Sequence, residues 1–308
     1  MAGPRWRFEL YSIDFGFGAF LVALIACFTL GMLGSELSFA DRMLVAGRTK
    51  QAWAIIGGAL FNLGNMLLIA AISLLGMGAA FPLTVGLALV IASLFSFRGP
   101  NLWFVGCGTL LMAATVVLSA VACRSRNKPT SSKTIGRNQT GQITKGILVS
   151  ALAGLPWGIV YPIVSTATAG DFGLGAYAGI LMISIGVVGS TVLFNVYFMK
   201  IAINGGPINL SAYFRGTRRQ HILGITGGVI WAIGALAALL AVSAPSYIEL
   251  NPALTFILPV ASVLLASLWG LATWKENAGA PARARSSLTL AGVSLACGLV
   301  LLGFGFTR

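Results

Sequence analysis

Asn62 and Asn65 stand three residues apart in an apolar run, 53–74, that carries no charge. On a helix they share one face, and an amide in an apolar environment must find a partner. Two roles follow: hydrogen bonding to a neutral polar solute, or tying one helix to another. Trp157 and Tyr161, spaced i, i+4 in the run 146–168, would form an aromatic wall with one hydroxyl, able to stack on a planar or ring-shaped solute. Interfacial anchoring is the competing reading for the same pair. Trp231, near the middle of 222–243, and Asn195, in 175–199, are further candidates for such a wall. Pro82 and Pro252 fall early in their runs. Each removes a backbone donor and frees a carbonyl, which in lipid needs a cavity or a neighbouring donor, unless the proline stands in a first helical turn. Asp14 and Glu249 are the acids that could carry a proton inside an apolar region. Both lie near the ends of their runs, where solvation at the level of lipid headgroups is expected.

Other chemistry lacks its materials. The single histidine, His221, stands beside Arg218 and Arg219 at a loop edge, and Cys27, Cys107, Cys123 and Cys297 are scattered without a CxxC or Cys/His cluster. Neither a metal site nor a nucleophile with its base can be assembled from these. The chain is expected to need no cofactor and not to be an enzyme. Its 308 residues are 57% hydrophobic and 9% charged, with a mean hydropathy of +0.91, whereas a soluble domain carries roughly 25% charged residues. That is too little charge to cover a soluble protein, so much of the surface must face lipid. The formal net charge of +13 would suit nucleic acid in a soluble protein. Here the basic residues sit in short stretches between apolar runs, where they read as topology signals and headgroup contacts.

Nine runs reach the roughly 20 apolar residues that a spanning helix needs, near 11–34, 53–74, 78–97, 101–122, 146–168, 175–199, 222–243, 249–271 and 288–306. The expected fold is an all-α integral membrane protein. The first run lacks a small-residue cleavage site and is expected to stay in the membrane. Polar connections fall at 124–145, at the turn Gly205 to Pro207, and at 275–287. With 124–145 in the cytoplasm, only Arg42, Arg48, Lys50, Arg98 and Arg308 of the 20 basic residues lie on the far side. The positive-inside rule then puts the N-terminus inside and the C-terminus outside. The pairs Gly154/Gly158, Gly175/Gly179 and Gly224/Gly228 read as close-packing devices.

The chain also matches itself at an offset of 170 residues. Gly57, Gly58, Gly64, Ser73, Pro82 and Leu94 meet Gly227, Gly228, Gly234, Ser243, Pro252 and Leu264, with Phe61 against Trp231. The second and third runs thus correspond to the seventh and eighth, five helices later, and an odd repeat places the two copies in opposite orientations. The expected organisation is an N-terminal repeat over 1–122, a basic cytoplasmic linker over 123–145 and a C-terminal repeat over 146–308. The fifth run has no partner before Met1, so a first helix is expected to be absent from this sequence.

With inverted halves in hand, the residues resemble the drug/metabolite transporter superfamily, in the bacterial branch grouped with ureide permeases and glucose/rhamnose-type sugar uptake proteins. The resemblance rests on YSIDFGFG at 11–18, GGALFNLGNMLLIAAISLLGMGAAFPLTVGLALV at 57–90, PINLSAYFRGTRRQHILGITGGVIWAIG at 207–234 and WGLATWKENAG at 269–279. It implies ten helices, a bacterial inner (cytoplasmic) membrane and secondary transport of a small polar solute, with ureides ahead of sugars. An exporter of amphipathic compounds and a non-transporting subunit are the alternatives. The partners expected are the solute, the lipid bilayer, a proton if an acid couples transport, and a second copy of the chain in a homodimer, with no nucleic acid. The central loop has no GxxxxGK[ST] stretch, so nucleotide binding is not implied.

Overall fold

Lipid offers no partner to a backbone N–H or C=O, so apolar segments of this length cross it as helices. The computed structural model describes residues 6–33, 37–95, 101–126, 133–168, 170, 172–203, 205–243 and 252–305, and it is helical throughout, with no strand among them. The helices are α1 Phe8–Phe28, α2 Phe39–Leu75, α3 Met77–Phe95, α4 Leu102–Ser125, α5 Lys133–Thr168, α6 Gly175–Lys200, α7 Arg218–Val242, α8 Pro252–Ala272 and α9 Ala282–Gly305. Short 3₁₀ helices lie at Leu30–Met32 and Leu210–Arg215. Eight of the nine α-helices are long and apolar enough to span a bilayer, and the apolar part of α8, Ile257–Ala272, is shorter. The protein is an all-α integral membrane protein of about nine helices.

Two helices begin more than ten residues before their apolar runs. In α2 the added segment from Phe39 carries Asp41, Arg42, Arg48 and Lys50, and Gly47 (φ 68°, ψ 172°) breaks the helix within it. That backbone is open to glycine and strained for other residues. In α5 the helix covers 133–145, half of the expected linker, while 127–132 lie outside the described residues. Polarity keeps a segment out of lipid but does not forbid helix in water, which is why hydropathy missed both extensions.

The helices form two compact units, Met1–Met66 with Val160–Glu249, and Leu67–Ile159 with Leu250–Arg308. The first holds α1, most of α2, α6 and α7. Within it α1 runs antiparallel to α6: the Phe8 ring meets Phe198 at 5.8 Å, and at the other end the Cys27 thiol donates to the Tyr177 carbonyl at 3.0 Å. Two helix pairs touch backbone to backbone. A Cβ on Gly18 or Gly228 would lie under 3.0 Å from the carbonyl oxygens of Ile225 or Phe15, joining α1 to α7. A Cβ on Gly186 or Gly58 would do the same to Ile55 or Ile183, joining α6 to α2. These are one contact made twice. Gly58 and Ile55 become Gly228 and Ile225 at an offset of 170, and Phe15 and Gly18 become Ile183 and Gly186 at an offset of 168.

The second unit holds α3, α4, α8, α9 and α5 up to Ile159. Here α4 and α9 run antiparallel, with Ser294 Oγ donating to Leu111 O at 2.8 Å and Thr115 Oγ1 to Ala291 O at 3.4 Å. At their crossing Gly108 and Gly298 face each other: a Cβ on either would lie 3.1 or 3.2 Å from the other's carbonyl oxygen. Gly154 and Gly158 let α5 approach α3 at the carbonyls of Thr84 and Ala88. The start of α3 is capped from a distance. Glu276 accepts from Met77 N and Gly78 N, each at 2.8 Å, and Arg126 donates to the carbonyls of Leu75, at 2.9 Å, and of Glu276. The carboxylate thus satisfies two orphan donors at a helix N-terminus and sits at the favourable end of its dipole. Glu276→Ala is expected to cost about 1–2 kcal/mol, read as a fall in melting temperature. An unchanged midpoint would show that water replaces the cap.

Candidate functional site

The apolar part of α2 brings its two amides into different surroundings. Asn62 is fully buried, and its Nδ2 donates to Ser190 Oγ at 2.9 Å and Thr191 Oγ1 at 3.0 Å on α6, with Val187 O at 3.2 Å. Both hydroxyls donate to Val187 O, at 3.1 and 2.7 Å. Their lone pairs are what remain, so the amide nitrogen is the group that must face them. Asn62 therefore ties α2 to α6, and its Oδ1 is left buried without a hydrogen-bond partner. Asn65 is half-buried and its Nδ2 is a buried donor with no partner. On α6, Asn195 is 4% exposed, with an unpartnered Oδ1.

Phe61 lies one turn from Asn65 at i, i+4, on the same helix face. Its ring stacks on Trp231 of α7, centroids 4.4 Å apart and planes at 22°, and Phe15 closes on the indole from 5.6 Å. Phe61 and Trp231 are the residues that the offset of 170 sets equal.

Trp157, Pro82 and Pro252 belong to the second unit. Trp157 packs against the apolar core of the second unit, which includes Val85, Leu89 and Leu299. Tyr161, one turn on, is 52% exposed. Spacing gives the two a common helix face, but Trp157 is partly buried and Tyr161 exposed. Pro82 lies buried inside α3, whereas Pro252 is the first residue of α8, where the missing N–H would be unpaired anyway and no carbonyl is freed. Glu249 lies outside the described residues. A cavity of about 190 Å³ in the second unit, lined by Leu74, Leu75, Cys123, Arg126 and Ile143, touches none of the candidates.

Asp14 is not solvated at headgroup level. It is 1% exposed, seven residues into α1, and accepts from Tyr213 Oη at 2.6 Å and from His221 Nδ1 at 3.0 and 3.1 Å. Gly224 makes the room: a Cβ there would lie 2.5 Å from Asp14 Cβ. Trp6 packs edge-on against His221 at 5.0 Å. Five residues earlier, Glu9 is fully buried and paired with Arg7 at 2.6 Å. His221, Tyr213 and Glu9 were not among the residues picked out by type and spacing. The available signal was that His221 lies three residues before Gly224, on the face that the glycine pair turns toward a neighbouring helix.

Amides and an acid inside apolar spans are costly in lipid, and such groups mark solute or ion pathways. They put the chain among membrane transport proteins. The family of sugar transport proteins matches residues 15–303, and the chain belongs to it. It is similar to the glucose uptake protein GlcU of Staphylococcus xylosus, with 26% identity over 221 residues. That match spans 71% of this chain and 65% of the relative, just under two thirds of its length. No solved structure matches the chain significantly. Family and relative are transport proteins, not enzymes.

Proposed function

We propose that the protein takes up a sugar, of the monosaccharide class that the relative's name indicates, across a bacterial cytoplasmic membrane. Its N-terminus lies inside and its C-terminus outside. Residues 1–122 and 146–308 are the two inverted repeats, and the doubled glycine contacts with the antiparallel course of α1 and α6 support that reading. The observation that carries the site is the stack of Phe61 on Trp231 in mid-helix, with the unpartnered Asn65 amide one turn away. Inverted-repeat carriers bind solute near the midplane where the repeats meet. An aromatic face covers the apolar side of a pyranose ring, and unspent amide groups on Asn65, Asn62 and Asn195 meet hydroxyls. Asp14 is the group that couples uptake to a proton. Ureides, ahead of sugars in the sequence reading, receive no support from the comparisons.

The test is uptake into proteoliposomes of labelled glucose beside labelled allantoin. Saturable glucose uptake is expected, with Trp231→Ala raising KM about tenfold, equivalent to about 1.4 kcal/mol. Saturable allantoin uptake without glucose uptake would reverse the substrate order. A Trp231→Ala protein with unchanged kinetics would move the site elsewhere.

A further inference from the structure

The loop between α6 and α7 crosses the end of the first unit where α1 begins. Its 3₁₀ helix Leu210–Arg215 contains no buried residue, so apolar burial contributes little to holding it there. Polar ties do that work. Tyr213 Oη donates to Asp14, Ile208 N donates to Met199 O at 3.0 Å, and Arg7, paired with buried Glu9, donates to Gly206 O. A length of 2.6 Å is typical of a hydroxyl donating to a charged carboxylate, and such bonds are roughly twice as strong as neutral ones.

The same carboxylate holds His221. The imidazole is 24% exposed and Asp14 is 1% exposed, so the ring stands between water and the acid. We propose that Asp14, His221 and Tyr213 form a proton-binding latch, in which the ionised carboxylate clamps the loop onto α1 and a proton relayed through His221 to Asp14 releases it. Water gives a proton to Nε2, and Nδ1 passes its own to Asp14. One proton is bound, and the ring is left in the other neutral tautomer. Burial first, then the hydrogen bond and charge of Asp14, push the Tyr213 phenol up to about 12. It therefore remains a donor over the working pH range.

Among the described residues, the groups facing Asp14 can be named element by element. On α1, Tyr11 feels its charge, and Glu9 is neutralised by Arg7. From α7 come His221 and the Gly224 backbone, while Arg218 and Arg219 in the first turn are exposed. From α6 come Thr191, beside Gly16, and Phe198, beside Phe8, neither of which titrates. The loop contributes Tyr213, with Arg215 exposed. Asp14 is thus the acid that the loop touches directly, through Tyr213, while Glu9 reaches it only through Arg7.

The latch rests on this geometry and not on the solute, so its test reads no transport. Hydrogen exchange of peptides over 205–217 would be followed by mass spectrometry on the purified protein, corrected for the intrinsic effect of pH. Wild type at pH 7.5 is expected to protect the amides of Ile208, Ala212 and Gly216, which are hydrogen-bonded in the loop. Wild type at pH 5, and Tyr213→Phe and Asp14→Asn at pH 7.5, are expected to exchange about tenfold faster. Both variants should lose the pH dependence. Tyr213→Phe keeps the ring and the fold, so it decides the matter even where Asp14→Asn is poorly folded. Exchange in Tyr213→Phe equal to wild type, or a wild-type loop indifferent to pH, would overturn the latch.

Discussion

Alanine at Gly58 or Gly228 is expected to leave little folded protein, and to do so equally at both positions. Each added Cβ would fall under 3.0 Å from a backbone carbonyl, Ile183 O or Phe15 O. No side chain can rotate away to relieve it, so whole helices must part. Ordinary overpacking of a core costs about 1–3 kcal/mol, and separating two helices in backbone contact costs more, because the neighbouring contacts at Gly186 and Gly18 open with it. Gly234 is the control. Nothing lies within 4 Å of its Cβ position, so Gly234→Ala is expected to be neutral or to gain up to about 1 kcal/mol from helix propensity. Melting of the detergent-solubilised protein by size-exclusion fluorescence reads all three. A wild-type midpoint for Gly58→Ala or Gly228→Ala, or a large loss at one with none at the other, would show that the two crossings are not equivalent.

Asp14→Asn is expected to abolish accumulation against a gradient while leaving equilibrative exchange of solute. One charge moved through about 100 mV is worth about 2.3 kcal/mol, which sustains roughly fiftyfold accumulation. Without a titrating group at position 14, that ratio should fall to about one. The amide retains an oxygen for Tyr213 and His221 but not the charge, so the helix packing survives while the loop is held less tightly. Proteoliposomes with an imposed membrane potential and labelled glucose inside or outside provide both readings. Undiminished accumulation in Asp14→Asn would remove the acid from the coupling role, and loss of exchange as well would make its part structural.

The spans were readable from apolar length because lipid enforces helix on such runs, and the glycines matched at an offset of 170 fall where the fold brings backbones into contact. Gly58 and Gly228, equal at that offset, each meet a backbone carbonyl, and Phe61 and Trp231, also equal at it, stack on each other. What escaped depends on partners distant in the chain. Asp14 looked like a residue at a helix end until the loop bearing Tyr213 and the first turn of α7 closed over it, 199 and 207 residues away. Asn62 and Asn65 could not be told apart by type. The hydroxyls of Ser190 and Thr191 on a helix far along the chain separate them.

A point on a two-fold axis is where a shape must fit its own image. Phe61 and Trp231, which the proposed repeats would set at such a point, do not match. Two copies joined in one polypeptide need not be identical, so one wall can be an indole and the other a phenyl. In the inverted arrangement proposed above, a ligand lodged there meets unlike surfaces from the two leaflets. On that proposal the conformations open to either side of the bilayer need not be equal in free energy, and a preferred resting face without a gradient is the expected consequence.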